Sequence, residues 1–505
     1  MRIVAATLAA ATVSAALASL AAAVGPAAGG STPSAADAQA QAAPYDVLVY
    51  GSTPSGIMAA VAAARHGAST ALLSQRPHIG GVCSGGLGQS DIGSCANEVI
   101  GGLALEFFHR NARSYATTQP RAPWNLEPHV AKAVFLAMLN ESGVSLLPPA
   151  EVSAVQKQGT RISAITAEDG SRYSATVFID ASYEGDLMAR SEGVSYTWGR
   201  EARSQYNETG AGSQGTLVEY GIEYIDPYDA QGALLPLLKP VVPLPKGDAD
   251  KQIQAYNFRL CVTDNATLRV PFAKPPDYDP AYWEVLRRFW LGWPNSTNPH
   301  KEAQAAAPTA ILGPIPSSSG ARKFDANNCG YNIVHTDMIG GSWDYPEADY
   351  TQRKKIWEEH VSYTKGFLWF MSSDASVPAD VRQKYAEEWG YCGDEFPETD
   401  HFPPQLYIRE ARRLVGDRVF TQNDAMNKTP LGNLSVGMGC YNFDSHCEER
   451  YACDPSKNPD CKLYDTAYVA VQCGCNVPNP GVYQMPLWLL FPKVRLSRPF
   501  RSFGR

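Results

Sequence analysis

Charge is scarce in this 505-residue chain. Asp, Glu, Lys and Arg together make up 19% of it, and the formal net charge is −8. A nucleic-acid binder needs a basic face, so an acidic balance with pI about 5.7 argues against one. No internal repeat is visible. No C-x-x-C pair occurs among the 11 cysteines, although zinc and iron–sulfur sites usually show one, so no metal site is expected. A strongly apolar membrane span is also missing, because the N-terminal run to Val24 is mostly alanine. What the chain does have is 44% apolar residues, enough for a globular core, and a length that allows roughly three domains.

The N-terminus reads as separate from the fold. Arg2 precedes an Ala/Val/Leu run, and small residues follow, which predicts a secretory signal peptide over 1–24 and a linker over 25–43. An organelle transit peptide is the alternative, but it would carry more than one Arg. Six Asn-x-Ser/Thr sequons support secretion: Asn140, Asn207, Asn265, Asn295, Asn427 and Asn433. Six cysteines fall between Cys440 and Cys475, which in an oxidising compartment predicts disulfides of open connectivity. The protein is thus expected in the secretory lumen or outside the cell, with no stable membrane span after signal cleavage.

From residue 45 the pattern is β-α-β. YDVLVY (45–50) predicts a strand, Ile57 to Gly67 a helix and TALLS (70–74) a second, parallel strand. Further helices are expected at Ala104 to Arg113 and Pro128 to Glu141. A hairpin is expected within 161–182, turned by Asp169-Gly170. Residues 201–435 are irregular and rich in aromatics, with helices expected at Ala348 to Phe367, Ala379 to Glu388 and Gln405 to Val415. This stretch reads as an inserted substrate domain. The first part of the dinucleotide domain then covers 44–200, and the Cys-rich return covers 436–493.

The chemistry-bearing motif is Gly51-Ser52-Thr53-Pro54-Ser55-Gly56, between strand and helix. Free amides and the helix dipole at such a turn attract a phosphate. The dinucleotide form is G-x-G-x-x-G, and here Thr53 replaces the middle glycine. Pro54 suits a first helical position. Ser74 stands where an acid normally grips a ribose hydroxyl, and can bond it less strongly. Three glycine clusters follow in PHIGGVCSGGLGQSDIG (77–93), a loop so open that backbone is expected to approach a ligand there.

These stretches together resemble a family of FAD-dependent oxidoreductases of the two-dinucleotide-binding-domain type. The family motifs are Y-G-G-T-P-A-G-I, H-L-G-G with S-G-G-L-G, and D-A-T-Y-E-G-D-L. The matching residues are Tyr50 to Ile57, His78 to Gly81, Ser84 to Gly88, and Asp180 to Leu187. The resemblance continues through NFRLCVT (257–263), VPFAKPPDYDP (270–280), QLYIREARRLVGD (405–417), TQND (421–424), YNFDSH (441–446) and YQMPLWLLFPK (483–493). It implies an α/β fold, with a Rossmann-like FAD domain of parallel sheet plus β-meander and an inserted mixed α+β domain. It also makes Thr53-Pro54 the family's own variant of the turn.

The resemblance implies FAD as cofactor and assigns residues to it. Gly51, Thr53, Pro54, Ser55 and Gly56 would face the pyrophosphate. Ser74 and Arg76 would lie near the adenosine, and Val152 would meet adenine through its backbone. Gly80, Gly81, Ser84, Gly85 and Gly86 would line the flavin side, and Asp180, Ala181 and Gly185 would return the chain to the cofactor. His446, Arg409 and Tyr183 are the catalytic candidates. A histidine can shuttle a proton beside a flavin, and arginine can hold a carboxylate bidentately. His446 reads equally as a surface residue, and YIREARRL equally as an exposed helix, above all at Arg413.

Hydride transfer between flavin and a small-molecule or carbohydrate-like substrate is the leading expectation. A polysaccharide lyase on the same fold is the rival, because some family members carry a xanthan lyase label. An inactive, truncated glycoprotein is the third reading. It follows from the tail 494–505, where VRLSRPFRSFGR stands in place of the family's further strand and helix, as a read-through or alternative isoform would give.

Overall fold

The computed structural model describes residues 45–90, 92, 99–115, 124–215, 224–295, 312–328, 333–426, 435–441, 444–473 and 483–486. The expected signal peptide, linker and tail, and the sequons at Asn427 and Asn433, lie outside the described residues. Among the described residues no helix is long and apolar enough to cross a membrane.

Strand β1 (Tyr45–Tyr50) runs into α1 (Pro54–Arg65) and then β2 (Thr70–Leu73). Helices α2 (Gly102–Arg113) and α3 (Pro128–Glu141) precede β3 (Ser145–Leu147). The meander β4 (Val152–Gln158), β5 (Arg161–Ala167) and β6 (Arg172–Asp180) completes a six-stranded sheet of order β3-β2-β1-β6-β5-β4. β1 is parallel to both β2 and β6, while β4, β5 and β6 pair antiparallel. The parallel half is buried on both sides: Leu48, Val49 and Tyr50 are all at 0% exposure. Val49, Leu72 and Phe135 pack with Ile57 and Val61 of α1 on one face, and Leu48, Leu73, Val152 and Ile165 close the other. Such two-sided burial explains why β1 and β2 are near-continuous apolar runs.

A second core gathers around the antiparallel strands β7 (Leu260–Thr263), β8 (Arg269–Val270), β9 (Leu312–Ile315), β10 (Lys323–Ala326) and β11 (Gly390–Cys392), ordered β9-β10-β7-β11-β8. Helix α4 (Glu284–Gly292), with the turn before it, and the 24-residue α5 (Tyr350–Ser373) contribute Trp283, Trp290, Tyr363 and Phe367 to it. A disulfide joins Cys261 to Cys392 on paired strands. In the Cys-rich stretch β12 (Cys447–Cys453) pairs with β13 (Tyr468–Cys473), pinned by Cys447–Cys473, and Cys453–Cys461 closes a short loop. Cys440 is also disulfide-bonded, and Cys83 is free.

One element departs from expectation. Gln405 to Val415 is not a helix: 405–412 runs extended, and only Arg413–Leu414 joins a two-residue strand pair. The amphipathic spacing of QLYIREARRL is overridden by tertiary contacts. Tyr407 N donates to Asn257 O at 2.8 Å, and the arginines leave in different directions to separate carboxylates. α5 begins at Tyr350 and runs six residues past Phe367, and Ala379–Gln383 is α-helical before a π-turn at Lys384–Glu388.

Candidate functional site

The turn after β1 is built by backbone needs. Gly51 has φ +106°, and a Cβ there would lie 2.6 Å from the Ala181 carbonyl carbon. Gly56 meets Gly51 O so closely that a Cβ would sit 2.0 Å away. Thr53 is the N-cap of α1. Its Oγ1 accepts from Gly56 N (3.2 Å) and donates to Ala181 O (2.7 Å), with Ser55 Oγ at 3.0 Å. Pro54 holds the first helical position. The threonine therefore serves the turn and its neighbour strand, and itself caps the Gly56 amide.

Ser74 is buried. Its hydroxyl donates to Arg76 O at 2.5 Å and lies 2.7 Å from Ser52 Oγ. The Arg76 guanidinium lies 3.7 Å from the ring centre of Trp357 on α5. Val152, expected at adenine, is bonded on both sides: its N–H donates to Tyr50 Oη (3.3 Å), and its carbonyl accepts from Tyr350 Oη (3.0 Å). The first turns of α5 thus cover Val152 and Arg76. The cavity lined by Gly51, Thr53, Ser74, Arg76, Gly81 and Tyr183 holds about 30 Å³, room for about two waters.

The second glycine loop is packed as tightly. A Cβ on Gly80 would meet Ser84 Oγ at 2.1 Å, one on Gly81 Tyr183 Oη at 2.3 Å, one on Gly85 Gln405 Cβ at 2.4 Å, and one on Gly86 Arg259 O at 2.1 Å. Ser84 Oγ donates to Ile79 O at 2.6 Å. Tyr183 Oη accepts from Val82 N at 3.0 Å, and burial pushes its pKa up, so it stays a neutral phenol. Asp180 ties the next turn by accepting from Ser182 N and Met188 N, Ala181 N donates to Tyr50 O, and Gly185 takes φ +70°. Glu184 is buried; Oε1 accepts from Tyr345 Oη at 3.0 Å and Oε2 has no partner. Asp186 gathers Arg353 (2.7 Å) and Arg412 (2.8 Å).

A separate polar cluster contains two of the three catalytic candidates. His446 is 8% exposed, and its Nδ1 lies 2.6 Å from Asp337 Oδ2. Arg409 reaches Asp337 Oδ1 at 3.1 Å and donates from Nε to Ala255 O at 2.8 Å. Asp444 lies 3.4 Å from His446 Nε2. Burial and Arg409 press the His446 pKa down, but the two aspartates outweigh them and hold it above the ordinary value. Burial alone would raise Asp337; His446 and Arg409 pull it well below the carboxylate range. Asp444 also lines a cavity of about 360 Å³ with Arg200, Gln254, Glu410 and Glu448, within the roughly 300–1,000 Å³ range of small-molecule sites. Burial pushes Glu448 up to about 8, against the pull of Arg200, whose Nη1 lies 3.9 Å from Oε2; that oxygen accepts no hydrogen bond.

Tyr183 stands apart from this cluster, at Gly81. The extended segment 405–412 links the two regions, because it starts against Gly85 and ends beside Gly185, with Arg409 between. Asp337, Glu448 and Arg353 escaped the sequence reading. Arg353 lies within the expected helix and Glu448 just beyond YNFDSH, but neither carries a local mark of its partner, and only the fold brings each to its carboxylate or arginine.

The parallel β-α-β unit, the glycine turn at the helix start and the β-meander define a dinucleotide-binding α/β flavoprotein. The chain belongs to the FAD dependent oxidoreductase family, whose profile matches residues 46–496, and its cofactor is FAD. The observed donor set fits that cofactor at the pyrophosphate: a positive-φ glycine and a helix N-terminus meet at the carboxyl ends of parallel strands. Comparison with curated proteins gave no match. Among solved structures, a GidA-related protein from Thermus thermophilus is 16% identical over 28% of this chain and 54% of its own, with TM-score 0.21. The OxyS anhydrotetracycline hydroxylase from Streptomyces rimosus is 16% identical over 32% and 36%, at 0.25. A flavin monooxygenase from Stenotrophomonas maltophilia, a double mutant, is 21% identical over 33% and 44%, at 0.22. This chain thus spans less than two thirds of each of them, and likenesses this loose carry no argument about activity.

Proposed function

We propose that the protein oxidises or reduces a small polyhydroxylated, carbohydrate-like substrate held in the 360 Å³ cavity, with His446 moving the proton. The observation that carries the reading is the buried His446–Asp337 pair, which touches the cavity wall through Asp444. FAD supplies the hydride acceptor or donor when bound. The turn at 51–56 and the loop at 80–86 hold it, and the chain's own residues do the rest. Asp337 holds Nδ1–H of His446, and Nε2, 3.4 Å from Asp444 on the cavity wall, exchanges a proton with a substrate hydroxyl. Arg409 holds Asp337 ionised. Carboxylates and amides lining the cavity suit hydroxyl groups, and Arg200 sets their charge balance.

We also assign the protein to an oxidising, secretory compartment, a reading supported by the three cysteine pairs and the sequons. The test of the redox reading is anaerobic mixing of the flavin-loaded protein with a panel of sugars and sugar alcohols. Bleaching of the visible flavin band by one of them, slowed in His446→Gln, is the expected result. Turnover of a polysaccharide with no change in flavin absorbance would sink it.

A further inference from the structure

A second group of reactive side chains reaches the surface beside the second glycine loop, where Leu126 N donates to Gly88 O at 2.6 Å. The turn between β9 and β10 carries Ser317, Ser318 and Ser319, and Ser318 is exposed. Its amide donates to Glu127 Oε2 at 2.9 Å, which fixes the turn against the start of α3. Its hydroxyl lies 3.4 Å from His129 Nε2. His129, in the first turn of α3, has its Nδ1 2.8 Å from Glu395 Oε1 and donates from its backbone N–H to Glu395 Oε2 at 3.0 Å. Glu395 is fully buried and 42% of the His129 side chain is exposed, so the acid is sheltered and the base meets solvent.

Glu127, His129 and Glu395 would suit a cation by spacing alone. Lys323 already fills that role: its ammonium bonds Glu127, lies 3.3 Å from Glu395 and reaches Asp394 at 2.7 Å. Lys323 thus occupies the centre of the carboxylate group and offsets part of its charge, and the serine–imidazole pair lies at its solvent edge. A nucleophile, a base and an acid that orients the base form the acyl-transfer constellation, recognised by geometry and not by order in the chain. A serine-to-base distance of 3.4 Å is within the looser range of sites without substrate.

We propose that Ser318, His129 and Glu395 form a second active site, an esterase that transfers short acyl groups from carboxylic esters to water. Ser318 Oγ attacks the ester carbonyl carbon while His129 Nε2 takes the hydroxyl proton. The carbon–oxygen bond to the alkoxide breaks, and His129 returns that proton to the leaving alcohol. Water then attacks the acyl-serine, gives a proton to His129 and releases the acid, and the proton returns to Ser318. Glu395 is a positioning residue that holds Nδ1–H and keeps Nε2 as acceptor. The Ser319 amide follows the nucleophile directly, the position from which such sites take one oxyanion donor.

The test uses the full-length, flavin-loaded protein with p-nitrophenyl acetate and with a fluorophosphonate, mapping the label by peptide mass spectrometry. A single label on Ser318, and ester hydrolysis that falls to the buffer rate in Ser318→Ala, is the expected result. His129→Gln should slow labelling by about 10²–10⁴-fold, the usual worth of a positioned base. The charged groups facing His129 are Glu395, Glu127 and Lys323. Glu395→Gln should therefore move the midpoint of the pH–rate profile to lower pH, which loss of packing alone would not do. A label on Ser317 or Ser319, no hydrolysis above buffer, or wild-type rates in Ser318→Ala would each overturn the assignment.

Discussion

Glu448→Gln gives a sharp test of the electrostatics of the 360 Å³ cavity. Glu448 is 3% exposed, and its pKa rises from an ordinary 4.5 to about 8 because burial disfavours the charge more than Arg200 restores it. Between those two values the folded protein holds a proton that the unfolded chain has lost. Stability must then fall as pH rises, by about 1.4 kcal/mol per pH unit, or ~3 kcal/mol over two units. The glutamine variant cannot ionise, so this slope disappears. It also places an amide where Oε2 accepts no hydrogen bond, at a constant cost of about 1–3 kcal/mol. The absolute stability of the variant is therefore uninformative, and the pH dependence of the difference is what counts. Urea unfolding of both proteins at three pH values between about 5.5 and 7.5, inside the window where the two states differ in protonation, reads it. The variant should gain on the wild type with each step up in pH. A difference that stays constant across the range would refute the placement of Glu448 as a buried, neutral acid.

Further outcomes are expected at His446, Gly51, the Cys261–Cys392 bond and Tyr350. His446→Gln should lower turnover of the flavin substrate by about 10²–10⁴-fold. The wild-type pH–rate profile should rise through a midpoint above 6.5, because the aspartates hold His446 protonated longer, and stopped-flow rates against pH would show it. The same protonation stabilises the fold at low pH, a contribution that is complete below 6.5 and lost as pH climbs past the raised pKa. Gly51→Ala should cost about 1–3 kcal/mol in backbone strain alone and abolish the flavin band, since its Cβ would meet Ala181 and Ser182 backbone at 2.6 Å; a retained band would contradict the turn. Cys261→Ser with Cys392→Ser should lower stability by about 2–5 kcal/mol, measured by urea midpoint, because the bond closes a loop of 131 residues. Tyr350→Phe should tighten FAD binding by roughly 5-fold, the worth of about one hydrogen bond of 1 kcal/mol, read by fluorescence titration.

The dinucleotide half was legible because its signals are local. The two-sided burial of β1 leaves an apolar run, the helix start leaves Thr53-Pro54, and the close approach to Ala181 leaves Gly51. The hairpin at Asp169-Gly170 was legible for the same reason. The segment 405–412 was not, because its periodicity matches a helix while Asn257, Asp337 and Asp186 pull its residues into an extended path. His446 and Arg409 were nameable only as residue types in aromatic surroundings. Asp337, which joins them, carries no local mark at all. The serine–histidine–glutamate group is more hidden still: 77 residues separate Ser318 from Glu395, and 189 separate it from His129. No window of sequence contains it.

The cover that α5 lays over Val152 makes Tyr350 an internal competitor for the cofactor. With adenine placed at Val152, as the family resemblance implies, the incoming base must take a carbonyl already bonded to the phenol. Trp357 must likewise yield the face of Arg76. Bonds gained at that end are bonds exchanged, so their net contribution to affinity is close to nil. The grip on FAD must then come from the pyrophosphate turn and the flavin loop. On that placement, loading would require the start of the 24-residue helix to give up its bond to Val152.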